Sequence, residues 1–336
     1  MSVQRPVQRP VQRPVQRPVQ RSAQRRFGIG LVVVGATLFI LNSGVSRVAL
    51  RNGIGSLELT SLRVTGTFVA LLVVAVAWQR SALRLPRGRQ LLLVIALGLF
   101  GVALLQLCYF MALDRLTISL ALLLEYQAPI LVALWAKFVQ RTEVTARLWW
   151  GLALAVAGLA AATEIWEGAS FDTVGVLAGI GGAICFAAYF LLGEACHDAG
   201  LSSVQVMLWG FAVATVAMNL ASPVWLVEAD LTASVSLQGS LDALSAPLWL
   251  VLAWVVLLGT LAPFGVELVA LRYIPATLVT AIAMLEPVGA AALGWAWYAE
   301  SLSAVAVLGC VAVVAGILLA QTARGEEHPE DPITLT

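Results

Sequence analysis

Lysine is nearly missing from this chain: Lys137 is the only one in 336 residues. A nucleotide-binding phosphate loop needs a lysine directly after its glycines, and Lys137 follows Leu-Trp-Ala instead, so ATP hydrolysis is excluded as an energy source. Histidine is almost as scarce. His197 and His328 are the only two, which rules out HExxH zinc chemistry and leaves no His-rich metal site. The four cysteines, Cys108, Cys185, Cys196 and Cys310, have no CxxC spacing and fall in or beside apolar segments, so they read as packing residues rather than a disulfide framework. Charge itself is short: Asp, Glu, Lys and Arg make up 12% of the chain, against about a quarter in a soluble protein. With 60% hydrophobic residues and a mean hydropathy of +0.91, most of the surface must face lipid. A helix crosses a bilayer with roughly 20 apolar residues, and the stretch from Phe27 to Gln321 has room for about ten such helices. Composition therefore predicts an all-α, polytopic membrane protein, with no cofactor and no metal implied.

The first 26 residues are different in kind. Val-Gln-Arg-Pro repeats from Val3 to Pro18, and a proline at every fourth position forbids helix while offering nothing apolar to bury. A disordered or polyproline-like arm is expected over 1–26. Its arginines (Arg5, Arg9, Arg13, Arg17, Arg21, Arg25 and Arg26) have no aromatics interleaved among them on which bases could stack, which argues against nucleic acid as a partner. They suit a cytoplasmic orientation signal that also touches acidic headgroups. The apolar segment that follows is long and ends in Asn42, Ser43 and Arg47 with no small-residue cleavage pattern, a poor fit to a secretory signal.

Beyond the arm, apolar segments recur at about 28–48, 56–78, 90–112, 116–138, 147–164, 173–194, 201–226, 247–270, 276–298 and 302–322. With ten spans and an inner N-terminus, the inner side collects the arm, Arg80, Arg84, Arg87, Arg89, Lys137, Arg141, Arg147, Arg272 and Arg324. The outer side receives Arg47, Arg51 and Arg115, and its longer loops hold Glu164, Glu167, Asp172, Glu228, Asp230 and Asp242. That imbalance predicts a cell (inner) membrane protein with both termini, including a tail at 323–336, in the cytoplasm.

The span list contains an internal repeat. Ala112-Leu113 pairs with Ala270-Leu271, Pro129 with Pro287, and Ala157-Gly158 with Ala315-Gly316, all at one offset of 158 residues. A weaker echo sets Gly35-Ala36 and Phe39 against Gly182-Ala183 and Phe186. Two units are expected, 27–164 and 173–322. Five spans each is an odd number, so the second unit must enter the membrane from the opposite side. That makes an inverted-topology repeat, a construction typical of secondary transporters with a site near the midplane.

These segments resemble the EamA-type transporters of the drug/metabolite transporter superfamily. The resemblance covers nearly everything from Phe27 to Gln321, and its most specific part is LEPVGAAALGWAWYAESLS with the closing Ala-Gly of the tenth span. Arg63, in LTSLRVTGTFVALL, is similar to the arginine which that family carries early in its second span. The first half departs from the pattern, with Glu125 four residues before Pro129 where the second half has Glu286 directly before Pro287. The resemblance implies a ten-helix exporter of small metabolites, commonly amino acids or related compounds, that works without ATP.

Each ionisable residue inside a membrane is a functional candidate, because a charge there costs at least a few kcal/mol. Glu125, near the centre of the fourth span, is either a proton site or partner for a substrate amine, or a carboxyl bracing the break at Pro129. Glu286, in the ninth span, stands where Pro287 frees backbone carbonyls to line a cavity, and serves either conformation or substrate contact. Glu267 shares a helix face with Thr260 and Pro263 in the eighth span, as an interfacial carboxylate or a gate. Arg63 either pairs with Glu58 near the outer end of the second span or receives a substrate carboxylate. Thr37, Asn42, Ser46, Gln106, Tyr109, Tyr126, Gln127, Tyr189, Thr277 and Thr280 are polar positions able to line a cavity or to bond between helices. Trp135, Trp254, Trp295 and Trp297 lie deep enough to line an apolar pocket.

The expected partners are thus a small-molecule substrate and the lipid bilayer, with a homodimer compatible with the sequence. A membrane-embedded enzyme lacks its parts, since no Ser/His/Asp set fits within the spans and no acidic metal cluster is present. The alternative to an exporter is a membrane scaffold or sensor whose basic arm binds lipid.

Overall fold

The computed structural model describes residues 18–113, 115–116, 118–162, 172–299 and 303–322. The arm up to Arg17, the tail from Ala323 with Arg324 and His328, and Glu164, Trp166, Glu167 and Glu300 lie outside the described residues. Helix α1 runs Pro18–Arg51. It takes residues 18–26 from the expected arm, because Pro18 is the last proline of the repeat and a proline is tolerated in a first helical turn.

Next come α2 (Ser56–Ala77), α3 (Arg89–Ala96), a π-helical stretch Leu97–Leu104, and α4 (Leu105–Leu113). Then α5 (Ile118–Glu125), α6 (Ala128–Phe138) and α7 (Ala146–Ala162) complete the first half. The second half repeats the order: α8 (Thr173–Asp198), α9 (Ser203–Ala221), α10 (Leu248–Val256), a π stretch Leu257–Leu261, α11 (Ala262–Ala270), α12 (Ala276–Ala283), α13 (Leu285–Tyr298) and α14 (Ala304–Thr322). The seventh span stops at Ala221 rather than near residue 226, because Pro223 drives Ser222 out of helical conformation. Between α9 and α10 a small antiparallel hairpin, β1 (Ser234–Ser236) and β2 (Ser245–Pro247), pairs Val235 with Ala246.

Among the described residues, eight helical stretches are long and apolar enough to cross a membrane. They are Ala23–Arg51, Ser56–Ala77, Arg89–Tyr109, Ala121–Phe138, Thr173–Asp198, Ser203–Ala221, Leu248–Ala270 and Ala276–Tyr298. Two shorter apolar helices, Ala146–Ala162 and Ala304–Ala320, fall below that length. The chain is a nearly all-helical, multi-pass membrane protein.

Proline chemistry explains where the stretches Ala121–Phe138 and Ala276–Tyr298 break. A proline lacks an N–H and its ring clashes with the carbonyl four residues back. Four residues before Pro129 is Glu125, the end of α5, and four before Pro287 is Ala283, the end of α12. The two π stretches likewise overlap at the repeat offset of 158, which carries Gly101 onto Gly259.

Each half packs its first helix into the other half. Helix α1 lies against α10, α11, α12 and α13, whereas α8 lies against α3 to α6, and α2 lies along α9. A Cβ at Gly101 would meet the backbone of Tyr189 on α8, and a Cβ at Gly259 would collide with the Asn42 side chain on α1. Asn42 and Tyr189 are themselves equivalent, 147 residues apart like the Phe39 and Phe186 pair. Helices α7 and α14 meet along a glycine seam, where a Cβ on Gly151 would come within 2.7 Å of the Gly316 carbonyl oxygen, and one on Gly158 within 2.7 Å of that of Gly309. Small residues at such a crossing let backbones touch, which is how helices associate tightly in lipid.

Candidate functional site

The packing of α1 into the second half leaves a cavity of about 370 Å³ lined by residues of both halves. Its α1 wall is Phe39, Asn42, Ser43, Ser46, Arg47 and Leu50. Helix α2 gives Leu59 and Arg63, α4 gives Gln106 and Tyr109, and the break after α5 gives Glu125 and Tyr126. From the second half come Phe186 of α8, Phe264 and Glu267 of α11, and Glu286, Pro287, Ala290 and Tyr298 of α13.

Three carboxyls therefore meet in one cavity, and their settings differ. Glu286 lies in the first turn of α13, where the helix dipole supplies a partial positive charge of about half a unit. Its Oε2 accepts a 2.7 Å hydrogen bond from the Tyr126 hydroxyl, while its Oε1 is buried with no hydrogen-bond partner. Glu125 is the last residue of α5, at the negative end of its helix, which repels a carboxylate. Glu267 is 1% exposed and its Oε1 is also buried without a partner. It faces the cavity and the core, so the interfacial reading of Glu267 is corrected: α11 turns this side chain away from the lipid boundary.

Arg63 is held by the π stretch Leu257–Leu261. A π turn widens the helix and releases carbonyls from the regular ladder. Arg63 Nε donates to Thr260 Oγ1 at 3.0 Å and its Nη2 to the Gly259 carbonyl at 3.4 Å. Thr260 in turn donates to the Val255 carbonyl at 2.8 Å. The expected pair with Glu58 is not formed, because the Glu58 carboxyl accepts from the Gly55 amide at the start of α2.

Of the sequence candidates, Glu125, Glu286, Glu267, Arg63, Asn42, Ser46, Gln106, Tyr109, Tyr126 and Pro287 come together around the cavity. Several others do not. Thr280 is buried and donates to its own helix at the Ala276 carbonyl, and Thr277 is buried beside it. Tyr189 stands behind the wall, donating to the Phe264 carbonyl at 3.2 Å. Pro129 and Pro263 shape the breaks in the helices from outside the lining. Thr37 is exposed and bonds back to Val33, and Gln127 bonds back to Leu123. Trp135 and Trp295 face outward, at 46% and 59% exposure.

Among the lining residues that sequence reasoning missed are Phe39, Ser43, Arg47, Phe186, Phe264 and Tyr298. For α1 a signal existed, since Phe39, Asn42, Ser43, Ser46, Arg47 and Leu50 follow three- and four-residue spacing along one face. Arg47 lies with its guanidinium 4.6 Å from the centre of the Tyr298 ring, and the Tyr298 hydroxyl donates to the Gly44 carbonyl at 2.9 Å. The hairpin clamps the same end: Trp297 Nε1 reaches the Leu237 and Gln238 carbonyls, each at 3.2 Å, and Arg51 donates to the Gln238 side chain at 3.0 Å.

A multi-pass helical protein built of two like halves, with a largely apolar cavity between them that carries three carboxyls and an arginine, is the architecture of a membrane transporter. Residues 26–163 and 173–322 each match the EamA-like transporter family, and the chain belongs to it. Among curated proteins it is 27% identical over 269 residues to the threonine/homoserine exporter RhtA of Salmonella typhimurium, in strains SL1344 and LT2, covering 78% of this chain and 80% of the relative. A protein of known crystal structure superposes with a TM-score of 0.69 at 20% identity, covering 92% of this chain and 100% of the other, which shows the shared fold.

Proposed function

We propose that the chain is a secondary exporter of small metabolites, amino acids or related amphiphilic compounds, driven by the solute gradient or by proton exchange. In this reading α7 and α14 also cross the bilayer, giving ten spans in two five-helix units, 27–164 and 173–322, of inverted topology. What supports ten is that α7 and α14 begin at equivalent positions, Ala146 and Ala304, and close each half in the same way. At about 1.5 Å per residue a 17-residue helix is about 25 Å long, which a modest local thinning of the bilayer accommodates. Both termini lie in the cytoplasm and the membrane is the inner one, as the placement of arginines argues.

The observation that carries the functional reading is the cavity itself, which joins Glu286, Glu267 and Glu125 to Arg63 from both halves. A buried carboxyl that can hold either a proton or a substrate amine is what exchange requires. In the proposed orientation the cavity extends toward the outer end of α1 at Leu50. In this reading the opposite end is held closed by contacts between the halves, with the rings of Phe27 and Tyr273 5.2 Å apart and Trp209 donating to the Ala82 carbonyl. Rocking of the two halves would exchange the open and shut ends.

The test is uptake into inside-out vesicles of a labelled amino-acid set that includes threonine and homoserine, with and without a pH gradient. Saturable accumulation of one class is expected. If folded protein moves nothing under any condition, the exporter reading fails.

A further inference from the structure

The inner part of the cavity is acidic and aromatic at once. Oε1 of Glu267 and Oε1 of Glu286 are both buried with no hydrogen-bond partner, and neither carboxyl forms an ion pair with a described residue. Rings of Phe39, Phe264, Phe186 and Tyr126 line the same space. They form two edge-to-face pairs: Phe39 with Phe264 at 5.2 Å and 85°, and Tyr126 with Phe186 at 5.7 Å and 81°. The guanidinium of Arg63 is committed to Thr260 and the Gly259 carbonyl. A buried carboxyl oxygen without a partner is expensive, and ring faces attract cations. An ammonium answers both features with one group, since it brings three N–H donors and a positive charge.

We propose that the cavity is a site for a cationic nitrogen on an apolar body, an arylalkylammonium, held by Glu267 and Glu286 within the ring of Phe39, Phe186, Phe264 and Tyr126. The inference rests on the exporter reading for its cavity and narrows the substrate class. The carboxylate that an amino acid would add is not required for binding, so a decarboxylated amine is itself a ligand.

Three probes with the same phenyl body separate the contributions: 2-phenylethylamine carries only the ammonium, 3-phenylpropionate only the carboxylate, and phenylalanine both. Each is titrated calorimetrically into the full-length protein in lipid nanodiscs. The amine is expected to bind saturably, no more than tenfold weaker than phenylalanine, and the propionate not to bind. Glu267→Gln and Glu286→Gln should each weaken the amine tenfold or more, and Phe186→Leu severalfold, while Thr37→Val, which faces outward, changes nothing. Propionate binding as tightly as the amine overturns the proposal, and so does phenylalanine binding where the amine does not. Should the carboxyl variants not fold, the three-probe comparison on the wild type and Phe186→Leu decide it. Counterflow assays then distinguish the two readings. Amino acids moved by a protein that ignores the amine sink the ammonium site and keep the exporter, whereas amine binding with no flux of any solute keeps the site and sinks the exporter.

Discussion

The two halves are most alike where α7 meets α14 and least alike around the cavity. Along the seam the repeat offset carries Gly151 onto Gly309 and Gly158 onto Gly316, so each helix presents the same glycines to the other. Around the cavity the same offset carries Glu125 onto Ala283 and Glu286 onto Ala128. Ala283 and Ala128 are both fully buried, so neither half can offer the other's carboxyl. The broken helices are equal in backbone and unequal in charge. Symmetric packing can serve both ends of a rocking motion, whereas coupling needs sites that differ, and the differences fall on the residues that line the cavity.

The largest effect should follow from breaking the symmetric region. A side chain at Gly316 would drive its Cβ to 2.6 Å from the Ala155 amide nitrogen and the Gly151 carbonyl oxygen, backbone atoms that cannot swing aside. Gly316→Leu should lower stability by about 3 kcal/mol, the upper range for overpacking. Thermal unfolding in detergent reads this, and a variant melting with the wild type would show that the seam is not tight.

The next effects sharpen the asymmetry. Glu286→Gln removes the carboxyl that accepts from the Tyr126 hydroxyl and that would meet the charge of a bound ammonium. Hydrogen bonds to charged groups contribute about 1.5–3 kcal/mol, so substrate affinity should fall by about ten- to a hundredfold. Glu125→Gln should instead reduce proton-linked transport while the protein stays inserted and binds substrate. Flux measured across a pH series separates the two, and a Glu125→Gln protein with the wild-type pH response would remove Glu125 from coupling. Arg63→Lys comes lower in magnitude. Lysine has no planar fork, so one of the contacts to Thr260 and Gly259 is lost and about 1 kcal/mol with it. Unchanged melting would place that strength elsewhere.

Most of the spans and, Arg47 apart, the charged part of the site are legible in the amino-acid sequence. Hydrophobic runs mark the spans, because lipid demands about 20 apolar residues with every backbone group satisfied internally. Pro129 and Pro287 mark the breaks through their missing N–H groups. Glu125, Glu286, Glu267 and Arg63 stand out because charge in a span is costly, and all four reach the cavity. Uncharged polar residues are not separable by the same argument. Thr280 and Thr37 satisfy their hydroxyls on their own helices, as a threonine can anywhere in a span, and nothing local distinguishes them from Asn42. The aromatic wall is hidden because Phe39, Phe186 and Phe264 are ordinary residues for an apolar segment, and only helix packing says whether such a ring faces lipid or cavity. The hairpin β1–β2 is hidden for another reason: its short strands lie within a polar loop, with no alternating run long enough to signal them.

The smallest effect tests whether the hairpin shares in the asymmetry. It joins α9 to α10, and its tip bonds to Trp297 at the end of α13 and to Arg51 at the end of α1, both beside the cavity. Trp297→Phe keeps a flat ring next to Tyr298 but deletes the N–H that reaches the Leu237 and Gln238 carbonyls. These carbonyls belong to a partly exposed loop, where water replaces the lost donor, so global stability should fall by no more than about 1 kcal/mol. Local opening is the sensitive readout. Amide hydrogen exchange over residues 234–247 should quicken several-fold in Trp297→Phe while exchange along α7 and α14 stays unchanged. If the hairpin exchanges at the wild-type rate, the clamp is held by Arg51 and the Ser240 bond to Ala296 instead. If exchange quickens in the hairpin and transport rises with it, the hairpin holds the C-terminal end of α13 against α1, and its release is part of the transport cycle.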